Sequence, residues 1–165
     1  MVHKRPTCFV AMPITTTALA ADLYGNDQDH FIHVLEHLFN PAIDRSGYQP
    51  IRPKMLGGDL IQATIIRYLQ EADLLLCDIT MHNPNVFFEL GIRTALNRPV
   101  ALVKDDKTKM LPSIMNMYEY ESGLSPWTLE SQISGIAEHI RATADRAQGR
   151  NAMWQYFGLT SPLLG

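Results

Sequence analysis

Only two of the 165 residues are cysteine, Cys8 and Cys77, and they stand far apart in no CxxC pair. A disulfide framework and a zinc ribbon are therefore not expected. The ten glycines never fall as GxGxxG, so the dinucleotide fingerprint is missing. Neither GxxxxGKS nor GxxxxGKT occurs, which removes a P-loop, and no GxSxG elbow is present. A basic excess is lacking too: 14 Lys and Arg face 17 Asp and Glu, a net charge of −3, against a non-specific nucleic-acid coat. No apolar run approaches the ~20 residues that span a bilayer. The basic stretch Met1 to Pro6 is followed only by Thr7–Met12 before Pro13, too short for a signal-peptide core. The expectation is a cytoplasmic protein with reduced thiols and no membrane partner.

What remains is a foldable chain, 46% hydrophobic and 19% charged, long enough to bury a sizeable core. The expected organisation is one domain over residues 1–150 and a docked C-terminal tail, 151–165, around Trp154-Gln155-Tyr156-Phe157. Cys8-Phe9-Val10-Ala11-Met12 is a near-continuous apolar run, as in a strand buried on both faces. A polar connection, Pro13 to Asp29, follows, with a short helical turn at Ala18–Leu23. Phe31, Val34, Leu35, Leu38 and Phe39 then repeat at helical spacing to about Arg45, and Gly47 ends the helix. Tyr48–Arg52 reads as a second strand, and Asp59 as the cap of a helix to about Glu71. Asp73–Ile79 is a third strand, Asn85 to Leu96 a helix, Pro99–Val103 a fourth strand and Met115–Glu121 a fifth. Ser125 to about Ala147 is a long helix with Leu129, Ile133, Ile136, Ala137 and Ile140 inward.

Strands alternating with helices predict an α/β three-layer sandwich with a parallel sheet of four or five strands. Right-handed crossovers put all strand C-termini on one edge, where such folds bind ligands. Met12-Pro13-Ile14, Arg52-Pro53 and Asp78 through Glu89 fall there. One metal-like pattern occurs, His33-Val34-Leu35-Glu36-His37, in inverted zincin order. Both histidines lie largely off the apolar face, no third ligand is evident, and no metal is expected. His30 is different, because it opens the helix beside the long loop and could face a ligand.

The informative segment runs from Cys77 to Arg93. Asp78 ends an otherwise apolar strand, where a carboxylate must be solvated by the cleft or paired. Asn83-Pro84-Asn85 forms a turn, with Asn85 able to cap the next helix. Glu89 then falls in the second helical turn, on the cleft side if Val86, Leu90 and Ala95 pack inward. Nearby helical N–H groups would favour its ionised form. The plainer alternative is an exposed Glu89–Arg93 pair at i,i+4 and an Asp78 that merely caps a loop.

The stretch Ala-Asp-Leu-Leu-Leu-Cys-Asp-Ile-Thr, then Asn-Pro-Asn-Val-Phe-Phe-Glu-Leu-Gly-Ile, then Arg-Pro-Val, within Asp73–Val103, resembles the nucleoside 2-deoxyribosyltransferase-like superfamily, in particular its TIR-like branch. Cys8–Pro13 is similar to that branch's opening strand, and the resemblance covers about residues 7 to 104. It implies a flavodoxin-like fold, no cofactor, and cleavage or transfer at the N-glycosidic bond of a nucleoside, a nucleotide or NAD. By the same resemblance Glu89 is the nucleophile and Asp78 orients sugar hydroxyls or assists the leaving base. Asn83 and Asn85 would shape the sugar site, the backbone at Met12, Pro13 and Ile14 would border sugar or phosphate, and Arg52 would contact phosphate. Lys54 stands where relatives often carry an acid. A homo-oligomer is implied, and a role as an antiphage or toxin effector, with a nucleic-acid or defence-system partner, is compatible with it. The chemistry is coherent, since a carboxylate stabilises an oxocarbenium-like state and can capture it covalently. A non-catalytic nucleotide-binding or assembly module with the same fold is the alternative reading.

Overall fold

The computed structural model describes residues 3–51, 59–110 and 116–159, the first three of the second stretch by backbone alone. Five strands form one sheet: β1 (Thr7–Ala11), β2 (Gln49–Ile51), β3 (Leu74–Asp78), β4 (Val100–Asp105) and β5 (Met117–Tyr120). Their order is β2-β1-β3-β4-β5, and every pairing is parallel. This is the flavodoxin-like order, with its switch point between β1 and β3. Arg52 and Lys54 lie outside the described residues.

Period-two alternation along each strand sends neighbouring residues to opposite faces. Cys8 and Val10 of β1, Leu74 and Leu76 of β3, and Ala101 and Val103 of β4 pack on one face. There they meet α2 (His30–Val34), α3 (Asn40–Arg45) and α6 (Leu129–Ala147) through Phe31, Val34, Ile43, Ile136 and Ile140. Phe9, Leu75, Cys77 and Leu102 pack on the other, against Leu69 of α4 (Asp59–Glu71) and Val86 of α5 (Pro84–Ala95). Both cysteines are buried and free, and burial raises the Cys8 thiol to about 12, so both behave as packing groups.

The Pro13–Asp29 connection holds the short helix α1 (Ala18–Ala21), capped by the Thr17 hydroxyl, and a 3-10 turn at Asp22–Tyr24. The helix expected from His30 to Arg45 is continuous, but Leu35–Phe39 is a π turn between α2 and α3. Pro41 accounts for it: the residue has no N–H for the i−4 carbonyl and its ring crowds that carbonyl, so the ladder widens. Gly47, at φ 94°, ends the segment in a conformation that favours glycine. Strand β4 runs two residues past its predicted end, to Asp105, carrying buried Lys104 and Asp105 with it. The Lys104 ammonium is retained inside because Glu119 and the Thr108 carbonyl (2.8 Å) accept its protons. The last helix, α7 (Ala152–Phe157), rests on the domain through Trp154, whose indole N–H donates to the Thr94 carbonyl at 2.6 Å.

Candidate active site

The turn from β3 to α5 is built from the end of an apolar strand. Asp78 is 0% exposed, and its side chain follows Leu74 and Leu76 toward the α2 and α6 face. It accepts three hydrogen bonds. The Thr80 N–H (3.1 Å) and hydroxyl (2.6 Å) donate to Oδ1, and the Tyr120 hydroxyl donates to Oδ2 at 2.7 Å. Loss of solvent dominates over these bonds and raises the Asp78 carboxyl to about 7. One strand over, Asp105 is equally buried and accepts from the hydroxyls of Tyr24 and Thr108, each at 2.6 Å. Thr80 ties the pair together, since its Oγ1 accepts the Asp105 N–H at 2.9 Å while donating to Asp78. The ends of β3, β4 and β5 are thereby joined by side chains as well as by the ladder.

This network holds an unusual backbone. Met81 and His82 have φ of 61° and 50°, in the left-handed region that costs a non-glycine residue of order 1 kcal/mol or more. Thr80 on one side fixes the turn, and on the other the Met81 N–H donates to Thr108 Oγ1 at 3.0 Å. Directly after it, Asn83 caps α5: its Oδ1 accepts from the N–H groups of Asn85 (2.9 Å) and Val86 (3.3 Å). The cap was expected at Asn85. Pro84 explains the shift, because proline suits the first helical position and lacks the N–H that would need capping. Asn85 is exposed in the first turn, with its side chain open to solvent.

Glu89 falls in the second turn of α5, as expected, and is half-buried. Among the described residues its carboxylate has neither a hydrogen bond nor an ion pair. Burial alone raises it to about 7. The expected support of its charge by the helix N-terminus is thus outweighed by desolvation. Glu89 sits on α5, the helix whose Val86 and Leu90 cover the α4 and α5 face of the sheet, and its charge also raises the Cys77 thiol. The plainer reading of a Glu89–Arg93 pair does not hold. Arg93 is 0% exposed and points inward, its Nε donating to the Pro99 carbonyl (3.1 Å) and Nη1 to that of Leu69 (2.7 Å). Arg93, not Ala95, joins Val86 and Leu90 on the inner side of α5, and Ala95 is exposed.

Asp78 and Glu89 therefore flank one strand end from opposite faces of the sheet. Of the remaining expected site residues, Met12 is buried in the α2 and α6 core, Pro13 is buried, and Ile14 is 41% exposed at the start of the connection. Met12, Pro13 and Ile14 continue β1, which neighbours β3, so they lie on the same edge as the turn. Asp105, Tyr24 and Tyr120 were not among the expected site residues, and Thr80 entered only within the quoted Asp-Ile-Thr stretch. The signal for the others was a pair of acids, Asp105-Asp106, after an apolar strand, and a Tyr in the fifth strand.

No family model matches the chain, and no curated protein matches it. Among solved structures, the chain is similar to a 2-desoxiribosyltransferase from Leishmania mexicana, at 14% identity and a TM-score of 0.49, over 81% of this chain and 98% of that one. That likeness is too distant to carry any residue's role across.

Proposed function

We propose that the protein cleaves or transfers the N-glycosidic bond of a nucleoside or nucleotide, with Glu89 as the nucleophile. The observation that carries the reading is a half-buried carboxylate with no partner among the described residues, raised by desolvation, on the helix that opens at the edge of a parallel sheet. In this reaction a Glu89 oxygen attacks the anomeric carbon. The bond to the base breaks and the base leaves with its electron pair, taking a proton from solvent. The glycosyl ester is then opened by water, giving hydrolysis, or by a second base, giving transfer. Asp78 serves as a positioning residue: its oxygens hold Thr80, Thr80 holds the turn, and the turn sets α5. Asn83 acts in the same way by capping that helix, while Asn85 and the backbone of Met12–Ile14 are left for sugar contacts.

The motif resemblance around Asn83–Gly91 is the second support, and it is what names the bond. The test is incubation with nucleosides, nucleotides and NAD, with chromatographic detection of free base. Release by the wild type and none by Glu89→Gln is the expected result. Release retained by Glu89→Gln would remove Glu89 as nucleophile. Calorimetric binding of a nucleotide without turnover would favour the module reading instead. The products also tell which of the three substrate classes is used, and whether a branch assignment such as TIR-like has a basis in activity.

A further inference from the structure

Two adjoining cavities, of about 580 and 270 Å³, lie beside the ends of β4 and β5 and share Leu23, Tyr24 and Lys107 as walls. Their ionisable groups are mostly basic in a chain of net charge −3. The larger is bordered by His30, His33 and His37, the smaller by His82 and Lys109, and Lys107 stands between. Asp27 is the single carboxylate among the described wall residues, and it is already engaged. It meets His33 Nδ1 at 2.7 Å and accepts the Asp29 N–H at 3.0 Å, and the His33 contact holds its carboxyl below the usual range. Lys107 has no ion-pair partner among the described residues.

The deepest group in this groove is His30. It is 3% exposed, and its Nε2 is buried with no hydrogen-bond partner among the described residues. An orphaned ring nitrogen of this kind is destabilising unless a ligand satisfies it. The ring is also held in place: it stacks on Tyr24 at 3.8 Å between centroids with planes 6° apart, and the Tyr24 hydroxyl is fixed by Asp105. Burial lowers the affinity of His30 for a second proton, which leaves a neutral ring able to donate one N–H. Among the described residues no three His, Cys, Asp or Glu side chains are placed to hold a metal ion. Lys107, whose ammonium lies 5.8 Å from the Tyr24 ring centroid, exposed Lys109, and a preset ring nitrogen that donates when it carries the imidazole proton match an anion with several acceptor oxygens.

We propose that this groove binds the phosphate of a phosphorylated small molecule, with Lys107 and Lys109 supplying charge and His30 a fixed hydrogen bond. Glu89 lines neither cavity, and phosphate binding there does not depend on its role. The test is isothermal titration calorimetry of the intact chain, at constant ionic strength, with ribose 5-phosphate, inorganic phosphate and inorganic pyrophosphate. Saturable binding of ribose 5-phosphate is expected. Lys107→Gln, an exposed change, should weaken it about tenfold or more. His30→Phe, which keeps the ring stack and removes the orphaned nitrogen, should weaken it several-fold without lowering the melting temperature. Glu138→Gln, an exposed change away from both cavities, should bind as the wild type does. No saturable heat with ribose 5-phosphate, binding of the inorganic ions alone, or affinity unchanged in both groove variants would overturn the proposal.

Discussion

Asp78 and Glu89 are two carboxyl groups on successive elements, β3 and α5, both raised to about 7 and both raised chiefly by burial. The resemblance is superficial. Asp78 is sealed from solvent and accepts three hydrogen bonds, so its burial is compensated inside the fold. Glu89 is half-buried with no partner among the described residues, so its burial is left uncompensated by them. A raised carboxyl group alone does not distinguish scaffold from chemistry; the state of its lone pairs does.

The sharpest way to break this comparison is Glu89→Gln, which should cut base release by about a thousandfold or more while the fold persists, measured by turnover and circular dichroism. In the wild type the same activity should fall as pH drops through about 7, because the attacking form is the carboxylate. Equal activity in the variant would make the two carboxylates alike after all. Asp78→Ala should act on stability instead. It takes the acceptor from the Thr80 N–H and from one of the Thr80 and Tyr120 hydroxyls, which stand 3.2 Å apart and can form only one bond between them, a loss of about 2–4 kcal/mol by urea denaturation. A stable Asp78→Ala that has lost only turnover would restore Asp78 to direct contact with substrate. A smaller effect is expected of Asn83→Ala, about 1 kcal/mol for the lost cap, with a fall in turnover if α5 positions Glu89 as described.

The smallest effect concerns pH and folding. Glu89 rises from 4.5 unfolded to about 7 folded, so between those values the folded chain holds a proton the unfolded chain has released. Its contribution to stability is full below about pH 4.5 and is lost as pH climbs through about 7. Glu89→Gln should therefore gain melting temperature relative to the wild type on going from about pH 4.5 to about pH 8. A difference that does not vary with pH would show that the carboxylate is solvated in the native state.

How much of this was legible in the residues can be judged element by element. The apolar run at Cys8–Met12, the helical spacing from Phe31 to Phe39 and the triple leucine at Leu74–Leu76 announce buried strands and a covering helix, because burial on both faces demands nearly unbroken apolar residues. The position of Glu89 in the second turn of its helix followed from the same counting. Arg93 did not, since periodicity assigns charge to the outside; it is buried because two helix-end and loop carbonyls happen to converge on its guanidinium. Nor did the Asp78–Thr80–Asp105 network, whose two halves, Asp78–Thr80 and Asp105, stand 25 or more residues apart.

The linear order of residues determined which segments are strands, that the sheet is parallel, and which edge gathers the acidic and asparagine side chains. Those properties depend on spacing along the chain, and spacing is local. Which carboxylate is satisfied and which is left open, and which histidine loses its solvent, were decided only by packing. Hydrogen-bond partners and desolvation are supplied by distant segments that meet only when the sheet closes against its helices.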